Sequence, residues 1–100
     1  LPGSGTDWDT TLKTASFTAV SGKGYLINTA GGAITVTLPA SPSAGDNVVI
    51  SDAKGSADTN SITIARNGVK IYGNNANLIL SNDRASISLI YELHFSTHLH

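Results

Sequence analysis

The stretch that decides the fold runs from Gly24 to Gly73 and reads GYLINTAGGAITVTLPASPSAGDNVVISDAKGSADTNSITIARNGVKIYG. Short runs of β-branched residues alternate in it with turns rich in Gly, Ser, Asn and Asp. Its clearest element is Ala33 to Leu38, where Ile34, Val36 and Leu38 fall on one face and Thr35 and Thr37 on the other, the period of a half-buried strand. Pro39 lacks the N–H that a ladder needs and ends the run. Asn47 to Ser51 is apolar on both faces and reads as a more central strand. Ser61 to Ala65 and Val69 to Tyr72 flank Arg66-Asn67-Gly68, and Asn-Gly between alternating runs predicts a tight hairpin.

Outward from this stretch, Phe17 to Val20, Tyr25 to Asn28, Leu78 to Leu80 and Ala85 to Leu93 carry further strand signals. The last places Ile87, Leu89, Tyr91 and Leu93 on one face. Leu1 to Thr6 is small and Gly/Pro-rich, so residues 1–15 are expected to be an incoming linker or N-terminal arm. Residues 94–100 are expected to be a C-terminal tail. No segment of about ten or more residues holds a 3.6-residue apolar period. The pattern predicts an all-β chain, a compact antiparallel β-sandwich or jelly-roll-like domain of about seven to eight short strands over residues 16–93. A parallel β-helix would show an internal repeat of about 20 or more residues, and the sequence has none.

At 100 residues the chain is one domain at most. Charged residues make up 13% and hydrophobic residues 40%, with uncharged polar residues filling the difference. Strand faces built of Thr, Ser and Asn keep β propensity and can pack against copies of themselves without desolvating charge. The net charge of −1 and the scattered basic residues Lys13, Lys23, Lys54, Arg66, Lys70 and Arg84 provide no footprint for nucleic acid. No apolar run approaches the ~20 residues needed to cross a bilayer, and no signal-peptide pattern opens the sequence, so no membrane is expected either. Cysteine and methionine are absent. The first excludes disulfides and thiolate chemistry, and the second leads to the expectation of a segment of a longer polypeptide.

No arrangement of side chains calls for catalysis, so no enzymatic activity and no cofactor are expected. The acids are Asp7, Asp9, Asp46, Asp52, Asp58, Asp83 and Glu92, and most stand where a turn is expected, as aspartates that bond their own backbone do. Only Asp46 and Asp52 look near each other, and they flank opposite ends of one strand rather than forming the close pair a glycosidase needs. No G-x-S-x-G elbow and no phosphate-binding glycine spacing occur. His98 and His100 would share one face of a strand, and three chains about an axis would offer six imidazoles. A frayed terminus with exposed histidines, His94 included, is the simpler account of them, and no metal is assigned. Trp8, between two aspartates, is an apolar anchor for the incoming segment or a platform for a sugar ring. Arg66 and Asn67 at the hairpin tip are the other expected surface contacts.

A set of anchors at coherent spacing extends from about Trp8 to Tyr91: Lys13-Thr14, Phe17-Thr18-Ala19-Val20, Gly24-Tyr25, Asn28-Thr29, Gly32 through Pro39, Ser41-Pro42, Gly45-Asp46, Asp52, Asn60, Ile62-Thr63-Ile64, Arg66-Asn67-Gly68 and Ile71. In these the chain resembles a recurrent β-rich module of tailed-bacteriophage virion structural proteins, of the tail-fibre or appendage type. The resemblance implies a non-enzymatic virion part, assembled in the bacterial host cytoplasm, that forms a homotrimer and contacts other virion proteins. It also leaves room for host attachment: a receptor- or glycan-binding tip, or a capsid decoration module, is the alternative. The tail after Tyr91 departs from the pattern.

Overall fold

The computed structural model describes residues 7–53, 59–81, 86–92 and 95–97. Two sheets pack face to face. The strands are β1 (Asp7–Lys13), β2 (Phe17–Thr18), β3 (Lys23–Ile27), β4 (Ile34–Thr37), β5 (Asn47–Asp52), β6 (Ile62–Ala65), β7 (Leu78–Leu80), β8 (Ser86–Tyr91) and β9 (Phe95–Thr97). One sheet, sheet A, has the order β1-β3-β5-β8-β9, and the other, sheet B, has β2-β4-β6-β7. The all-β sandwich predicted from alternation is therefore present.

Its strand directions are not those expected. β1, β3 and β5 run parallel, as do β2, β4 and β6, and only β7, β8 and β9 pair antiparallel. The cause lies in the path of the chain. Each of the first six strands crosses to the sheet opposite its predecessor, so neighbours within a sheet are joined by a crossover rather than a hairpin, and crossovers deliver parallel strands. The chain winds as a flattened coil and then closes with antiparallel strands. The offset between facing residues varies along it: Asp7 faces Lys23, Lys23 faces Val48, Phe17 faces Val36 and Ile34 faces Ile62. Unequal turns leave no repeat in the sequence.

Alternation explains the core. From sheet B, Ile34, Val36, Ile62 and Ile64 point inward; from sheet A come Tyr25, Ile27, Val48, Ile50 and Leu89, all buried. The central position expected for Asn47 to Ser51 holds, with β5 between β3 and β8. Tyr25 keeps its ring inside, 4.7 Å from that of Phe17, while its hydroxyl accepts from the Val20 N–H at 2.9 Å. The Lys13 ammonium lies 5.2 Å from the Phe17 ring centroid and closes that flank.

Three local expectations are corrected. Asp7–Lys13, expected within a linker, is the edge strand of sheet A; as an edge it needs no apolar alternation, and DWDTTLK shows none. Phe95 to Thr97, expected within a tail, form β9, and Phe95 is fully buried, its ring 5.3 Å from that of Tyr91. The Asn67-Gly68 turn forms with positive φ at both residues (49° and 82°) and a Val69 N–H to Arg66 carbonyl bond of 3.0 Å, but no ladder follows it. A second tight reversal at Ile71–Asn74, with Tyr72 and Gly73 both at positive φ, turns the chain away, and β6 pairs instead with β7.

Candidate functional site

The surfaces open to a partner are the outward faces of the two sheets, and the register fixes their membership. On sheet A, Trp8, Gly24, Val49 and Ser88 share one row across β1, β3, β5 and β8. Leu26, Ser51 and Ser86 form a second row, and Asn47, Ile90 and Ser96 a third. On sheet B the outward residues are Thr18, Thr35, Thr37, Thr63, Ala65 and Ile79. None of these residues is charged. The charges among the described residues sit elsewhere: on the flank of β1, in the turns, and at the buried end of β5.

Of the three expected contact residues Trp8 and Asn67 are exposed, and Trp8 is the one whose side chain is not held in a hydrogen bond among the described residues. Its indole lies over Gly24, so that a Cβ at Gly24 would stand 2.8 Å from ring atoms Cδ2 and Cε3. That close approach is the reason position 24 suits glycine. Gly24 is thereby buried on an otherwise outward face, while Trp8 remains 41% exposed. Beside it Lys23 bonds Asp7 at 2.7 Å, and this hydrogen bond, with the charge of Asp7, raises the lysine above its ordinary pKa. The Asp9 carboxylate accepts from the Thr11 N–H at 3.0 Å and pairs with Lys13 at 3.0 Å. The Thr11 bond first and Lys13 second hold its pKa below the ordinary value.

Arg66 and Asn67 are committed to the turn that holds them. The Asn67 amide Nδ2 donates to the Leu38 carbonyl at 2.9 Å, the Arg66 N–H donates to Asn77 Oδ1 at 3.0 Å, and the guanidinium Nη1 donates to the Val69 carbonyl at 3.4 Å. They lie at the end of β6 in sheet B, whereas Trp8 lies on the edge strand of sheet A. His94, His98 and His100 are outside the described residues. No group of three potential metal ligands occurs among the described residues.

The acids divide more finely than a turn reading allows. Asp46 behaves as expected, its Oδ2 accepting from the Ser43 N–H at 2.8 Å. Asp7 and Asp9 are strand residues in ion pairs. Asp52 ends β5 with its side chain inward and 3% exposed. Asp46 and Asp52 do stand at opposite ends of that strand, so the two carboxylates do not form a pair. At the same end of the sandwich as Asp52, Thr29 is fully buried, with no hydrogen-bond partner for Oγ1 among the described residues. Its carbonyl accepts from the Asn60 amide at 2.9 Å.

Two exposed side chains carry no sequence signal. Ile79 is the outward residue of a short apolar triplet and is 60% exposed. Tyr72, expected to pack within a strand, occupies a turn at φ 53° and is 43% exposed. No protein-family model matches the chain, and no curated protein matches it either.

Proposed function

We propose that this chain is a non-enzymatic structural module of a bacteriophage virion, of the tail-fibre or appendage type, that works by associating with copies of itself as a homotrimer. The observation that carries the reading is the absence of charge from both outward sheet faces among the described residues. A sheet face meant to stay in water ordinarily carries Lys and Glu, whereas interface cores are depleted of charge. Sheet B is the assembling face. Its Thr18, Thr35, Thr37 and Thr63 present methyl and hydroxyl groups together, and Ile79 adds the most exposed large apolar side chain of the molecule among the described residues.

The phage assignment is supported by the resemblance, whose anchors have structural work in this fold. Gly24 admits the Trp8 ring, Asn60 holds the Thr29 carbonyl, Asp46 caps its own turn, and Asn67-Gly68 make the reversal after β6. Sedimentation equilibrium tests the assembly. The wild-type chain is expected to run as a trimer at micromolar concentration, and Thr63→Lys, which places a charge inside the face, to run as a folded monomer. A wild-type monomer sinks the proposal. Peptides of this chain recovered from purified phage particles by mass spectrometry would test its place in a virion.

A further inference from the structure

We propose that Asn67 is a site of spontaneous covalent modification, deamidating through a cyclic imide with Gly68, and that the fold restrains the reaction through the same carboxamide the reaction consumes. Asn67 is the only asparagine in the chain followed by glycine, and no aspartate is so followed. The chemistry favours that pair. Ring closure brings the backbone nitrogen of the next residue onto the side-chain carbonyl carbon, and a Cβ on that residue would crowd the approach; glycine has none. Both residues are exposed, and the Gly68 N–H donates no hydrogen bond among the described residues. The reaction needs only water. The Gly68 nitrogen gives its proton to hydroxide and attacks Asn67 Cγ; the Cγ–Nδ2 bond breaks, and ammonia leaves with a proton taken from water. Water then opens the imide. Cleavage at Cγ yields aspartate, and cleavage at the Asn67 backbone carbonyl yields isoaspartate, in which the main chain runs through the side chain.

In the folded chain the turn opposes ring closure. Asn67 Nδ2 donates to the Leu38 carbonyl at 2.9 Å, so the carboxamide is tied to the end of β4 rather than free to fold onto Gly68. The bond from the Val69 N–H to the Arg66 carbonyl at 3.0 Å closes the turn around the reacting peptide, and Asn77 Oδ1 holds the Arg66 N–H at 3.0 Å. The backbone is fixed at φ 49° and 82° on either side of that peptide. Reaction therefore waits on local opening of the turn. Afterwards the turn cannot close as before. Leu38 is fully buried, and its carbonyl would lose its donor and face a carboxylate, one acceptor against another. Sheet B is thereby unlatched where Thr37 of β4 pairs with Ala65 of β6. The change runs one way, so it records how long the turn has spent open. It rests on the turn alone and is independent of self-association.

The test is incubation of the intact chain in mildly alkaline buffer, folded and in urea, followed by tryptic digestion and mass spectrometry. The fragment from Asn67 to Lys70 contains no other amide side chain, so the exchange of NH2 for OH is read there directly. Asn67 is expected to be the first asparagine converted in urea, and to convert more slowly in the folded chain by about fivefold or more, the weight of one hydrogen bond. Asn67→Asp, which reproduces one of the two products, should lower the urea midpoint at least as far as Asn67→Gly, which only removes the Leu38 bond. A smaller difference between the two rates overturns the proposal, as does earlier conversion of any other asparagine. An Asn67→Asp midpoint above that of Asn67→Gly overturns the unlatching of sheet B.

Discussion

The Trp8 ring and the Gly24 backbone are in such close contact across β1 and β3 that no side chain fits between them. Gly24 is not at positive φ, so alanine is allowed there by the backbone and would stabilise through the unfolded chain by ~0.4–1 kcal/mol. Against this stands the loss of the ring from its seat. The two effects oppose each other in stability, so the sharp expectation is spectroscopic: Gly24→Ala should tilt Trp8 into solvent and shift its emission to the red. An unchanged spectrum would mean that the ring does not rest on Gly24.

Asn67 combines two tasks, a φ of 49° and the bond to the Leu38 carbonyl. Asn67→Gly keeps the first and loses the second, and should cost ~1 kcal/mol. Asn67→Ala loses both, adding ~1 kcal/mol for the left-handed backbone. The order wild type, Gly, Ala in urea midpoint is the prediction, and Gly equal to wild type would remove the Leu38 bond from the account.

Tyr72 sits at φ 53° in a turn position where Asn or Gly is at ease. Its replacement by Asn should raise stability by up to ~1 kcal/mol, about 4–8 °C in melting temperature for a domain of this size. A fall in melting temperature would show that the half-exposed ring makes contacts worth more than the strain.

Phe95 binds the end of the chain to the rest. It is fully buried against Tyr91, its N–H donates to the Lys70 carbonyl, and its own carbonyl accepts from the Tyr72 N–H. Phe95→Ala should cost ~3–5 kcal/mol, a large part of the 5–15 kcal/mol typical of a domain. Truncation before residue 95 should therefore unfold the protein; a truncated chain that melts like the wild type would contradict the place of β9.

The ion pairs of β1 set a pH dependence with two signs. Asp9 has its folded pKa lowered, by the Thr11 N–H first and Lys13 second, so its contribution is full above the unfolded value of about 4 and is lost as pH falls through the folded one. Lys23 has its folded pKa raised, chiefly by Asp7, so its contribution is full below about 10.4 and is lost as pH rises through the folded value. Both groups face solvent, and the effects should be small and screened by salt. Asp9→Asn is expected to lower the urea midpoint slightly at neutral pH and to match the wild type at about pH 2. A gap that persists in acid would assign its cause to something other than charge.

How much of this was legible in the residues depended on what each strand buries. Ala33 to Leu38 gave its inward face correctly because β4 is covered on one side only, and Asn47 to Ser51 announced its central place by carrying Val49 outward as well as Val48 and Ile50 inward. The ends were hidden for the opposite reason. β1 lies on an edge with polar neighbours, and β9 spans only three residues, of which Phe95 supplies the fully buried side chain. Strand direction was hidden altogether, since alternation is the same in parallel and antiparallel ladders. The candidate site was half legible. Trp8 stood out as the single indole, but its posture depends on a pairing with Gly24 that only the register supplies.

The coil also has a direction. In sheet A the backbone of Lys70 and Tyr72 bonds the outer side of β9 at Phe95, while β1 has no strand on its outer side among the described residues. Among the described residues the β1 flank is thus the more open one to an added strand. Edge-to-edge growth needs two complementary open flanks to propagate as a filament, and the bonds at Phe95 work against the second of them.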